Sequence, residues 1–221
     1  MNINVNENVN EIGVIRENFA GFPAVIMRLS EITYELLQKT YGEEVIELPI
    51  RVDDVAKELG ITIYSKNLNL ANSRKYNQRI GELNGNNIYI EETADWDVKR
   101  FAIAHEIGHR LIDRDMGPAQ YSLPLLASNS DELLADVYAL FLLVPFDLYL
   151  DEFKHYIDNI ETLPININHW LKRLSAKAEV PYYNIASGYA YFKFAALEHY
   201  KTKIEGKPLR TQIEEYGELF Y

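Results

Sequence analysis

Cysteine is absent from the 221 residues. That excludes disulfides and thiolate ligands alike, so any metal must be held by nitrogen and oxygen. No uninterrupted run of about 18 apolar residues occurs, and no membrane span is expected. The opening segment Met1 to Gly13 lacks the basic start and apolar core of a signal peptide, so a cytoplasmic location is the expectation. Positive charge is also scarce: 22 Lys and Arg stand against 33 Asp and Glu, a formal net charge of −11. Basic stretches such as Arg74 to Arg79 are short and flanked by acids, whereas a duplex binder presents a basic stripe. Direct nucleic-acid binding is therefore not expected, and a basic protein partner is allowed.

What is present suits one folded domain, or one domain with an appended helical piece: 48% of the residues are hydrophobic and 25% charged. Asparagine alternates from Asn2 to Asn10, which could form an edge strand but reads better as part of a flexible polar segment over 1–22. Val25, Leu29, Ile32, Leu36 and Leu37 recur at helical spacing between Pro23 and Tyr41, and Gly42 ends the pattern. A second helix is expected from Val52 to Leu59, stopped by Gly60. The β-branched and aromatic run Ile61 to Ser65 reads as a strand. Two alternating stretches, Arg79 to Leu83 and Asn86 to Glu91, flank Asn84-Gly85, a hairpin signal in which both turn positions need positive φ.

These three strands predict a small antiparallel sheet. It feeds a helix from about Trp96 to Ile112, then a second strong helix from Asp131 to Val144, ended before Pro145. Further helices are expected over Pro145–Ile160, Asn168–Ala178 and Pro181–Tyr200. The fold class is thus α+β and mostly helical, with the sheet packed on the Trp96–Ile112 helix. The expected division is a main domain over 23–145, a C-terminal helical subdomain over 146–205 and an acidic tail over 206–221.

The Trp96–Ile112 helix carries His105-Glu106-Ile107-Gly108-His109. Histidines four apart share one helix face, with Cβ atoms about 5–6 Å apart, and can converge on one ion at about 2.0–2.1 Å each. The intervening Glu106 is turned about 100° away around the helix, so it reaches beside such an ion, where it can serve as general base toward a water. The bland alternative is a pair of solvated histidines, but apolar neighbours (Phe101 to Ala104, Leu111 and Ile112) would bury part of that pair.

A zinc ion wants a third protein ligand. Glu132 opens the next strong helix, where Glu132, Ala135, Asp136 and Ala139 share a face. Small residues there, opposite Gly108 and Ala104, would let the two helices approach closely. Glu132 could instead close a capping box with Asn129. Asp136, one turn on, could accept the second N–H of a ligand histidine and fix its tautomer, or it could be an ordinary solvated charge. Tyr121, His155, His169 and Arg110 are candidate oxyanion donors, and none is singled out.

Two segments together resemble the ImmA/IrrE family of zinc-dependent metallopeptidases. "RFAIAHEIGH", Arg100 to His109, is similar to that family's metal helix, and "ELLADVYALFLLVP", Glu132 to Pro145, to the helix that follows it. The resemblance covers roughly Pro23 to Pro145. It departs at Arg110, where the family usually has an apolar residue. It implies a zincin-like fold binding one Zn2+ per chain, with His105, His109 and Glu132 as ligands and Glu106 as general base. It further implies a protein substrate of the helix-turn-helix repressor type, of the kind that controls phage, mobile-element or stress genes. Two other readings stay open beside this endopeptidase: a non-catalytic zinc-containing module that sequesters a regulatory partner, and an amidohydrolase with a deep closed pocket.

Overall fold

The computed structural model describes residues 22–68, 80–111, 130–158 and 166–204. Among them the chain forms α1 (Phe22–Tyr41), α2 (Val52–Glu58), β1 (Thr62–Lys66), β2 (Gly81–Asn84), β3 (Asn87–Glu91), α3 (Trp96–Leu111), α4 (Ser130–Leu143), α5 (Phe146–Asp158), α6 (Ile167–Ala178) and α7 (Tyr182–Ile204). The architecture is α+β and mostly helical, with one three-stranded sheet. The asparagine-rich segment, Arg74 to Arg79, Tyr121, Asn129 and the acidic tail lie outside the described residues.

Helix α4 is the axis of the molecule. Its residues are apolar nearly all the way round, and a helix of that kind belongs inside. Leu134, Ala135, Val137, Tyr138, Ala139, Phe141, Leu142 and Leu143 are all fully buried. Helices α1, α3 and α7 pack around it. From α1 the buried side comes from Ile26, Leu29, Leu36 and Leu37, and the helix ends where the Gly42 N–H bonds the Gln38 carbonyl at 2.8 Å with Gly42 at φ +61°. From α7, Gly188 lets the helix settle onto Leu140, because a Cβ there would stand 2.1 Å from Leu140 Cδ1. No single helix among the described residues is long and apolar enough to cross a membrane. The apolar pair α4 and α5, bent by 61° between them, supplies much of the buried core.

The sheet corrects one expectation. β2 and β3 form the antiparallel hairpin, but β1 pairs with β3 in parallel, giving the order β1-β3-β2 and a mixed sheet. The reason lies in burial. β3 carries Ile88 and Ile90, both buried, while β1 is mostly exposed, so the most apolar strand takes the centre and the wetter strands take the edges. The turn also differs. Strand pairing runs to Asn84 and Asn87, which leaves Gly85-Asn86 as the central residues, and of these only Gly85 has positive φ, at +61°. A glycine first in a two-residue loop serves the same strand twist that an Asn-Gly pair would.

Candidate metal centre

Helix α3 lies between the sheet and α4, and each neighbour meets it through a glycine. On the α4 side, a Cβ on Gly108 would stand 3.1 Å from both Cα and O of Ala135 and 3.2 Å from Tyr138 Cβ. The helices therefore touch backbone to backbone at this point, as the small residues of the sequence suggest. Ala104 and Ala135, also on this seam, are fully buried.

That approach carries the first turn of α4 over the histidines. His105 Nε2 and His109 Nε2 are 3.0 Å apart. Glu132 offers Oε2 to His105 Nε2 at 3.2 Å and Oε1 to His109 Nε2 at 3.6 Å. Four-coordinate donors held at about 2.0–2.1 Å from zinc stand about 3.3 Å from one another, and the three observed separations bracket that value. His105, His109 and Glu132 together could hold a metal ion, and the two imidazoles and one carboxylate suit zinc chemistry without thiolate.

Asp136 stands behind this group, its Oδ1 2.7 Å from Nδ1 of His105. With Nδ1–H donating to that carboxylate, the neutral imidazole turns its lone pair at Nε2 toward Glu132 and His109. Acceptor atoms then face one another at van der Waals distance or less, an arrangement that needs a cation or a proton among them. The electrostatics agree. Burial alone would lower the pKa of His105, but the Asp136 hydrogen bond and the charges of Asp136, Glu106 and Glu132 outweigh it and leave the pKa raised.

Glu106 occupies the other side of α3, toward the sheet. A Cβ on Gly81, the first residue of edge strand β2, would stand 3.1 Å from both Cγ and Oε1 of Glu106 and 3.2 Å from Ile90 Cδ1. The missing side chain leaves room for the Glu106 carboxylate against the inner face of β2. Arg110 fastens the other end of the hairpin, donating to Asn86 Oδ1 at 3.1 Å.

Of the residues singled out in the sequence, the structure brings together His105, His109, Glu132 and Asp136, with Glu106 beside His105 on the same helix and turned toward the sheet. His155 lines a cleft with Trp170, Arg173 and Lys177, and His169 lies beside the Tyr156 ring at 6.2 Å; neither histidine joins the group. Arg110 is held on the hairpin turn.

Two residues escaped the sequence reading. Gly81 had a signal, since an isolated glycine within a strand often marks a close approach. Arg100 had its place at the head of the family-like phrase, but nothing there assigned its role. Its guanidinium is buried and donates to the carbonyls of Ala178 and Glu179, each at 3.2 Å, which ties the start of α3 to the end of α6.

A family model described as the IrrE N-terminal-like domain, Peptidase_M78, matches residues 56–186. That span is more than half of the chain and runs from α2 to the start of α7, taking in the sheet and every residue of the centre. No curated protein matches the chain.

Proposed function

The chain belongs to the Peptidase_M78 family of IrrE N-terminal-like domains, and from that premise we propose that it is a zinc-dependent endopeptidase acting on a helix-turn-helix repressor-type protein. The observation that carries this reading is the division of labour on α3. His105 and His109 turn toward Glu132 on one side, while Glu106 is held against the inner face of β2, an edge strand among the described residues, on the other. A site that only held a metal for structure would have no use for a carboxylate kept beside the first ligand histidine and given room by a glycine of the neighbouring strand.

When bound, zinc would supply the Lewis acidity that polarises a peptide carbonyl and makes a water molecule easier to deprotonate. The protein's own groups do the rest. Among the described residues β2 pairs with β3 alone, and its other edge would offer backbone N–H and C=O groups to an extended substrate strand. Pairing there would lay the substrate backbone along β2 beside Gly81, the residue against which the Glu106 carboxylate rests. Glu106 takes a proton from the attacking water as the new C–O bond forms. It then delivers that proton to the amide nitrogen as the C–N bond breaks, so no proton is left over. Asp136 holds the His105 tautomer throughout. A repressor substrate places the activity in the cytoplasm, where such proteins meet DNA.

The test is co-incubation with helix-turn-helix repressors and mapping of fragments by mass spectrometry. The native chain is expected to cut at defined bonds, and Glu106→Gln to keep its zinc while losing cleavage by about 100-fold or more. Cleavage by Glu106→Gln at the native rate would overturn the mechanism. A repressor bound stoichiometrically by the native zinc-loaded chain and never cut would point instead to sequestration.

A further inference from the structure

Helices α5 and α6 flank a cavity that shares no residue with the metal centre. On α6, Trp170, Arg173, Leu174 and Lys177 fall three or four positions apart, so they share one face. On α5, Glu152, His155 and Tyr156 do the same. The space between these faces is about 390 Å³, within the roughly 300–1,000 Å³ of small-molecule sites. Trp170 and Leu174 are each 2% exposed, so the floor is apolar. The indole is held there by Phe153 and Tyr149, which meet it edge to face at centroid distances of 4.8 and 5.1 Å.

Two of the charged side chains at this cavity cancel. Lys177 pairs with Glu152 and so bridges the two helices. Arg173 is left. Its guanidinium lies over the Tyr156 ring, 5.8 Å from the centroid. Tyr156 is itself fixed, its hydroxyl donating to the Asn166 carbonyl at 3.2 Å. A guanidinium over a ring face is oriented by it yet uses none of its N–H donors on an acceptor.

Other arginines are placed differently. Arg28, Arg51 and Arg100 each pair with a carboxylate, and Arg110 donates to Asn86. Among the described residues Arg173 has neither an ion pair nor a hydrogen bond. The chain has 33 acidic residues against 22 basic ones. An arginine that none of them serves, beside an aromatic cavity, stands ready for an anion from outside.

We propose that this cavity binds a small planar carboxylate, with its flat apolar body against Trp170 and Leu174 and its carboxylate on Arg173. The guanidinium fork matches a carboxylate with two parallel hydrogen bonds. An aromatic floor favours a flat ring, which can meet the indole offset or edge-on. With Lys177 and Glu152 cancelling, one positive charge remains, and that suits a monoanion better than a doubly charged phosphate ester. The site needs no metal and stands apart from the peptidase reading.

Naphthoate is the probe, and neutral naphthamide is its counterpart of the same shape. The chain has two tryptophans, so in full-length Trp96→Phe the one indole N–H resonance in an NMR spectrum belongs to Trp170. Naphthoate is expected to shift that resonance to saturation. In calorimetry naphthamide should bind about tenfold more weakly or less, and Arg173→Gln should lose about tenfold or more in naphthoate affinity. Arg173 is exposed, so its variant should keep the native thermal midpoint. Ala176, another exposed residue of the lining, offers a plug: Ala176→Phe should abolish binding.

An unmoved Trp170 resonance, a shift that never saturates, or equal affinity for acid and amide would overturn the proposal. So would binding that survives Arg173→Gln and disappears on chelation, since that carboxylate would sit on a metal. Naphthyl phosphate bound more tightly than naphthoate would overturn the choice of a monoanion. An acidic peptide that displaces naphthoate at lower concentration than naphthoate itself requires would overturn the small-molecule assignment in favour of a protein partner. Cleavage of repressors by the native chain is untouched by any of these results, so the two readings fail separately.

Discussion

Helix α3 is flanked by two glycine contacts that look alike in distance and differ in what they press against. At Gly108 the close neighbour is the backbone of α4, whose Ala135 Cα and O cannot yield without moving a helix sunk in the core. At Gly81 the close neighbour is a side chain, Glu106, which can rotate. The first contact sets the relation between two helices and therefore the spacing of His105, His109 and Glu132. The second sets only where one carboxylate rests. Placement of the candidate ligands is thus stiff and placement of the Glu106 carboxylate compliant, and each can be disturbed without the other.

The largest effect is expected from emptying the stiff side chemically. His109→Ala should lower zinc from about one per chain to background in elemental analysis, with both glycine contacts intact. Full zinc in that variant would sink the ligand assignment. Asp136→Asn comes next, weakening zinc binding about 10–100-fold in chelator competition.

The same residue governs the pH response. In the metal-free protein the raised pKa of His105 contributes stability that is present below the ordinary value of 6.5 and lost as pH rises through the folded value. A zinc ion bound at His105 would have to displace that proton, so affinity should weaken as pH falls through the raised value. In Asp136→Asn this inflection should move to lower pH. An inflection that stays where it was would remove Asp136 from the account.

Gly108→Ala should act through the helix pair, lowering unfolding stability by about 1–3 kcal/mol in denaturant titration and loosening zinc in parallel. Normal stability with normal zinc affinity would mean that the seam is slack. The smallest effect is expected on the compliant side. Gly81→Ala should keep zinc and stability close to native and slow turnover about tenfold at unchanged KM. If Gly81→Ala lost its zinc, the distinction between the two sides would collapse.

The stiff side was the more legible in the sequence. Histidines four apart, a glutamate heading the next helix and small residues on the facing stripe are local patterns, and helix geometry converts them into proximity. The dual possibilities for Asp136 are decided by one distance, 2.7 Å to His105. The compliant side was harder to read. Which strand takes the centre depends on comparing burial among strands far apart in the chain, so the direction of β1 was missed. The turn shifted by one residue because Gly85 satisfies the strand twist from the first loop position as well as from the second. Arg100 stands in the family-like phrase, but its role could not be read, since its partners are backbone carbonyls 78 and 79 residues away, which leave no trace in side-chain pattern.

Glu132 sits in the first turn of α4, exposed, while Leu134 and the residues after it are anchored in the core together with Ala104 and Ile107 of α3. The donors are therefore prepositioned by packing that involves no ion. In small zinc modules, removing the ion unfolds the chain; here chelation should yield a folded apoprotein with an unchanged far-ultraviolet circular dichroism spectrum. Loading and unloading then become a matter of exchange with whatever free zinc the surroundings offer. The fraction of competent molecules would follow metal supply, with no refolding step in between.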